Sequence, residues 1–194
     1  MTINAHQSMM WASASRHAPR RQAFNGLQLA NLVEVPANEN ATTTPMQNAI
    51  LSMNLDTQSG WISARVYKAD SFSPDNPMML VTGTDVDGTT FRKFVNINDV
   101  NPRNASLVEM IALEGYLVSS GKRASGLARA SVLAVEGASG DGARLTAFTT
   151  FDFVTALESL LDSKRLNGEL FGKWDEYMWL RPIVDALMSH ISRG

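Results

Sequence analysis

The sequence predicts an α+β fold: an antiparallel sheet of two consecutive β-hairpins packed against a central helix and C-terminal helices. Three observations carry that expectation. Apolar and polar residues alternate with a period of two over residues 50–68. An Asp87-Gly88 pair separates two further strand-like runs. Beyond residue 104 the apolar spacing becomes helical, with capping residues where helices should begin.

Residues 1–46 show no such spacing and are rich in Ser, Ala, Asn, Thr and Arg. They are expected to form an N-terminal arm and linker, flexible or ordered by docking, in which Phe24, Leu27, Leu29, Leu32 and Val33 supply the apolar side chains. A single α+β domain is expected over 47–194. It opens with Leu51, Met53 and Leu55 alternating with Ser52, Asn54 and Asp56. After a turn at residues 56–60, Ile62, Ala64 and Val66 alternate with Ser63, Arg65 and Tyr67. Residues 69–78, with Pro74 and Pro77, read as a loop.

The second hairpin is expected over 79–86 and 89–97, turning on Asp87-Gly88 as a two-residue loop. That turn would oppose Val81 to Phe94, Leu80 to Val95 and Thr84 to Phe91. A helix should follow, capped either by Asn104 or by Ser106 with Glu109 in a capping box, and stopped at Gly121. Leu107, Met110, Ile111, Leu113, Leu117 and Val118 are spread widely around it, so it should be buried on most sides. Residues 122–137 are read as helical because Ala is a good helix former, with Gly137 as the stop; a strand over Ser131–Glu136 is the alternative. A loop over 137–142 and a short strand over 145–151 come next. Asp152 should cap a helix bearing Phe153, Leu157, Leu160 and Leu161 and ending at Asn167-Gly168. A second helical stretch is expected over 169–180. A last helix should start at Pro182, with Ile183, Leu187, His190 and Ile191 inward.

Composition removes several classes of chemistry. The chain has no cysteine, which excludes disulfides, thiolate nucleophiles and thiolate metal sites. Seventeen basic residues against nineteen acidic ones give a formal net charge of −2, so no general attraction to nucleic acid or anionic membrane is expected. No apolar run reaches the length of a membrane helix and no signal core opens the chain. A cytoplasmic location is the expectation, with secretion lacking a signal peptide also compatible.

Motif by motif, the bland reading prevails. His6, His17 and His190 have no metal-ligand spacing. Asp85-Val86-Asp87-Gly88 looks like part of a calcium loop but runs straight into a strand. The glycines at 137, 140 and 142 lack the Lys-Ser or Lys-Thr of a phosphate loop. Glu109 and Glu114 lie on different helix faces, and Asp175 and Glu176 are merely adjacent. Arg16, Arg20 and Arg21, and then Lys122, Arg123 and Arg129, form basic patches that read as solvated ends. No catalytic residue, metal site or cofactor is expected.

The least ordinary segment is Trp174-Asp-Glu-Tyr177-Met178-Trp179-Leu180. Trp174, Tyr177 and Met178 share one helical stripe. Such stripes are more often core than contact surface, yet so many large aromatics at one end of a small domain also mark interfaces. Trp174, Tyr177, Met178 and Trp179 are therefore the partner-binding candidates. The stretch from Gly60-Trp-Ile-Ser to Asn96-Ile-Asn-Asp-Val-Asn-Pro-Arg-Asn-Ala-Ser resembles small bacterial proteins of no assigned activity, which implies no site residue. The expected function is a non-catalytic interaction or accessory role of bacterial type, using the aromatic segment, the arm, or both. A protein partner or self-association is expected, and no membrane. The alternatives are an enzyme with an unrecognised active site and, behind it, a nucleic-acid-binding protein.

Overall fold

In the computed structural model, which describes residues 49–139 and 144–192, the alternation at 50–68 becomes two strands. β1 (Leu51–Thr57) and β2 (Gly60–Lys68) pair antiparallel across the turn Gln58-Ser59. β3 (Met78–Thr84) and β4 (Thr90–Asn96) extend them into a four-stranded meander in the order β1-β2-β3-β4. The expected arm, residues 1–46, lies outside the described residues, as do residues 140–142 of the loop expected over 137–142.

The register of the second hairpin differs by one residue from the expected one. Leu80 faces Phe94, Met79 faces Val95, and Gly83 faces Phe91. The loop has three residues, Val86-Asp87-Gly88, with Gly88 N–H donating to Asp85 O (2.9 Å) and Asp85 N–H to Thr89 O (2.9 Å). Gly88, at φ 84°, takes the left-handed position that ends a type I turn in such a loop. Burial decides the matter. Val81, Met79 and Val95 all point to the core, and a two-residue turn would have set the half-buried Leu80 of the outer face against the buried Val95.

A 3₁₀ turn (Ile97–Asp99) and a two-residue strand, β5 (Ala105–Ser106), lead into α1 (Leu107–Ser119). Of the two candidate caps the protein uses Ser106. Its N–H and hydroxyl both donate to Glu109 Oε2, at 2.7 and 2.8 Å. Lys93 of β4 donates to the other oxygen of Glu109 at 3.1 Å, tying the sheet to the helix start. Leu107, Met110, Ile111, Leu113 and Leu117 are all fully buried against the sheet's inner face, which is Leu55, Ile62, Ala64, Val66, Met79, Val81 and Val95.

α2 (Leu127–Ser139) is helical over the Ala-rich stretch, beginning five residues later than the expected 122 and running two residues past Gly137. Its first turn is capped from α1, by Glu114. The strand expected over 145–151 shrinks to β6 (Thr150–Phe151), which pairs with β5. Leu145 and Ala147 are buried, but their segment bonds sideways instead of along a strand. Val108 N–H donates to Ala147 O (2.9 Å), and Ala147 N–H donates to Asp85 Oδ1 (3.0 Å).

The C-terminal helices are longer and fewer than expected. α3 (Phe153–Phe171), capped by Asp152, passes through Asn167-Gly168 and ends at Gly172, whose φ is 70°. α4 (Trp174–Ile191) is one helix, where the sequence suggested a break before Pro182. The proline removes the N–H that would reach the Met178 carbonyl, one turn back on the exposed side of the helix. Leu180, Ile183, Val184 and Leu187 lie buried on both sides of the proline and keep the chain helical across it. α3 packs on α2 and on α4, covering the core on the side away from the sheet.

Candidate functional site

The candidate site is the corner where α3 turns into α4 through Gly172 and Lys173. The two helices approach closely there because Gly168 has no side chain. A Cβ at that position would meet the Trp174 ring at 2.7 Å. Trp174 thus lies flat against the α3 backbone, with Tyr177 edge-on to it (centroids 5.9 Å apart, planes at 79°). One turn further on, Arg181 donates to the Tyr177 hydroxyl at 3.1 Å and stacks its guanidinium by the ring. Lys164 of α3 pairs with Glu176 of α4, and that ammonium holds the Glu176 carboxyl below its ordinary range.

Large apolar side chains of both helices are left in water around this corner. Among the described residues ten large hydrophobic side chains are exposed, and six of them fall within the fourteen residues 166–179. Phe171 is 69% exposed, Met178 65% and Leu170 64%; Leu166, Trp174 and Trp179 follow. Charges lie on the same two helices beside them: Arg165 with Glu169 (2.7 Å) and Arg181 with Asp185 (3.7 Å). Chemically the corner offers area and aromatic edges with a charged border, which is what a protein contact needs.

Of the four candidates from the sequence, the fold brings Trp174, Tyr177 and Met178 together and separates Trp179. Five positions beyond Trp174 is about 140° round a helix. Trp179 accordingly faces the other way, against Gly126, where a Cβ would meet its ring at 3.1 Å. Tyr177 is half-buried; the other three are exposed. The sequence reading missed Leu166, Leu170 and Phe171 because it ended α3 at Gly168. The signal for the true end was present: Gly172 directly follows Phe171 and offers the same stop chemistry one turn later.

Elsewhere the polar groups serve the fold. Glu114 is buried, and its two oxygens accept from Gly126 N–H (2.7 Å) and Ala128 N–H (2.8 Å). Burial pushes its carboxyl up, and the two hydrogen bonds only partly oppose that. Burial also pushes Glu109 up, but Ser106 and Lys93 together outweigh it and leave that carboxyl below its ordinary range. His190, half-buried as a helix-edge residue, meets Tyr116 edge-on at 6.2 Å. Among the described residues no three acidic or histidine side chains converge on a point that could hold a metal ion. No helix among them is long and apolar enough to cross a membrane. Comparison with protein-family models, with curated proteins and with solved structures gives no match.

Proposed function

We propose that the protein works by binding another protein, without catalysis, and that the α3–α4 corner is its contact surface. The observation that carries this reading is the concentration of exposed Leu166, Leu170, Phe171, Trp174 and Met178 around one tight helical turn. Scattered exposed hydrophobics need no explanation, whereas a local cluster with charged neighbours has the anatomy of an interface. The helix hairpin is also rigid. Trp174 on Gly168 and the Lys164–Glu176 pair set its geometry before any partner arrives, which lowers the ordering cost of binding.

The test is the double substitution Leu170→Glu, Met178→Glu. Both side chains are mostly in water, so stability should change by no more than about 0.5 kcal/mol per site. Self-association measured by sedimentation, and partners cross-linked in the source cell, should both diminish. A wild type that is monomeric at every concentration, with a cross-linking pattern the double variant leaves unchanged, would refute the assignment of this corner.

A further inference from the structure

β1 is an edge strand of the sheet, and its free edge is not a closed surface. A groove of about 700 Å³ runs between it and α2. Residues 54–58 form one wall; Arg129, Val132, Leu133 and Glu136, spaced i, i+3, i+4, i+7 along α2, form the other. Trp61, 65% exposed, stands beside the strand on β2.

The backbone on this edge is set for pairing. Thr57 and Gly60 flank a two-residue turn and so form a hydrogen-bonded pair, which makes Leu55–Ile62 and Met53–Ala64 hydrogen-bonded pairs too. Ser52, Asn54 and Asp56 therefore direct their N–H and C=O groups away from β2, and Asn54 and Asp56 of these line the groove. The next outward donor, Gln58 N–H, is met by Glu136 Oε1 at 2.7 Å, which shows where α2 closes one end. Edges of this kind are usually blunted by lysine or proline. The opposite edge strand, β4, carries Arg92 and Lys93; β1 has no Lys, Arg or Pro.

Charge selects the occupant. Asp56 and Glu136 make the Gln58 end of the groove acidic. Arg129, two helical turns back and about 10 Å away along α2, makes the other end basic. None of the three has an ion-pair partner among the described residues. Between them the exposed Leu133 and Trp61 supply apolar contacts. We propose that this groove binds an extended peptide of a partner protein, added antiparallel to β1, with a basic residue at its N-terminal end and an acidic one at its C-terminal end. Strand addition supplies main-chain hydrogen bonds for affinity and side-chain contacts for choice of sequence. The chain's own first 46 residues do not carry this pattern: the nearest base followed by an acid is Arg21 and Glu34, thirteen positions apart. β1 of a second copy has Asp56 and no base.

The experiment uses the full chain and a fluorescein-labelled heptapeptide: lysine, three valines alternating with two threonines, and a terminal glutamate. Saturable binding should be accompanied by new amide-exchange protection at Ser52, Asn54 and Asp56. N-methylation of alternate peptide nitrogens, or exchange of the two terminal charges, should weaken binding about tenfold or more. Arg129→Glu should do the same, and a peptide ending in lysine should recover the loss against that variant. Arg129 is exposed, so an unchanged thermal melt will show that the variant is folded. Absence of saturation by about 1 mM peptide, or equal affinity for the N-methylated and charge-exchanged peptides, would overturn the proposal. So would amides at Ser52, Asn54 and Asp56 that are already protected in the free protein. Dilution would then assign the edge to a second copy if protection falls, and to the chain's own segment if it does not.

Discussion

Glu114→Gln is the substitution that most directly tests how α1 and α2 are joined. The carboxylate is 2% exposed and has two acceptors, one for Gly126 N–H and one for Ala128 N–H. Glutamine has one acceptor and one donor group, so its NH₂ must face one of those two N–H groups whichever way the amide turns. One buried donor is then left without a partner, at a cost of ~1–3 kcal/mol. Relief of the buried charge offsets part of this at neutral pH and places the result toward the lower end. In a domain of this size each kcal/mol lowers the melting temperature by roughly 2–4 °C. The pH dependence has a definite sign. Burial raises the folded carboxyl above its ordinary value, so the folded state holds its proton more tightly than the unfolded one. The wild type's advantage over Glu114→Gln should therefore be complete below the unfolded pKa of about 4.5 and shrink as pH rises through the raised folded value. Urea denaturation of both proteins, followed by tryptophan fluorescence between pH 4 and 8, measures the difference and cancels the other carboxylates. A glutamine variant as stable as wild type at pH 7, or a gap that widens as pH rises, would refute the assigned geometry.

Glu109 should show the opposite slope: its capping-box contribution of about 1 kcal/mol, removed by Glu109→Ala, is present above pH 4.5 and lost as pH falls through its depressed folded value. Gly168→Ala should destabilise by ~1–3 kcal/mol, because the new methyl meets the Trp174 ring at 2.7 Å. The same substitution in a Trp174→Ala background should cost distinctly less, and additive effects in that cycle would show that the ring and the glycine do not touch. Trp174→Ala alone should fall well short of the ~3–5 kcal/mol of a core tryptophan, since much of the ring faces solvent. Gly88→Val should cost about 1 kcal/mol or more despite the open space around it, because a β-branched residue resists φ 84°; an unchanged melt would remove the turn assignment.

Short-range chemistry determined much of this protein in advance. Period-two alternation placed β1 and β2, Asp87-Gly88 between two strand-like runs marked β3 and β4, Ser106 with Glu109 started α1, Asp152 started α3, and the lack of cysteine closed off whole classes of site. The stripe of Trp174, Tyr177 and Met178 was legible because helical spacing depends on the backbone alone. What the tertiary structure decided is every outcome in which a local rule met a distant contact. Gly168 and Pro182 are helix breakers by propensity, yet Trp174 packed on one and the buried flanks of the other carry both helices onward. The Asp87-Gly88 turn yielded its register to the burial of Met79, Val81 and Val95. Glu114 became a cap for a helix whose first residue lies thirteen positions ahead, and Ala147 bonds to the start of α1 and to the loop of the second hairpin. A helix glycine or a turn is worth about 1 kcal/mol and an interior proline about 3, whereas burial of several large side chains at about 1.5–3 kcal/mol each exceeds both. Where the two disagreed, the core prevailed.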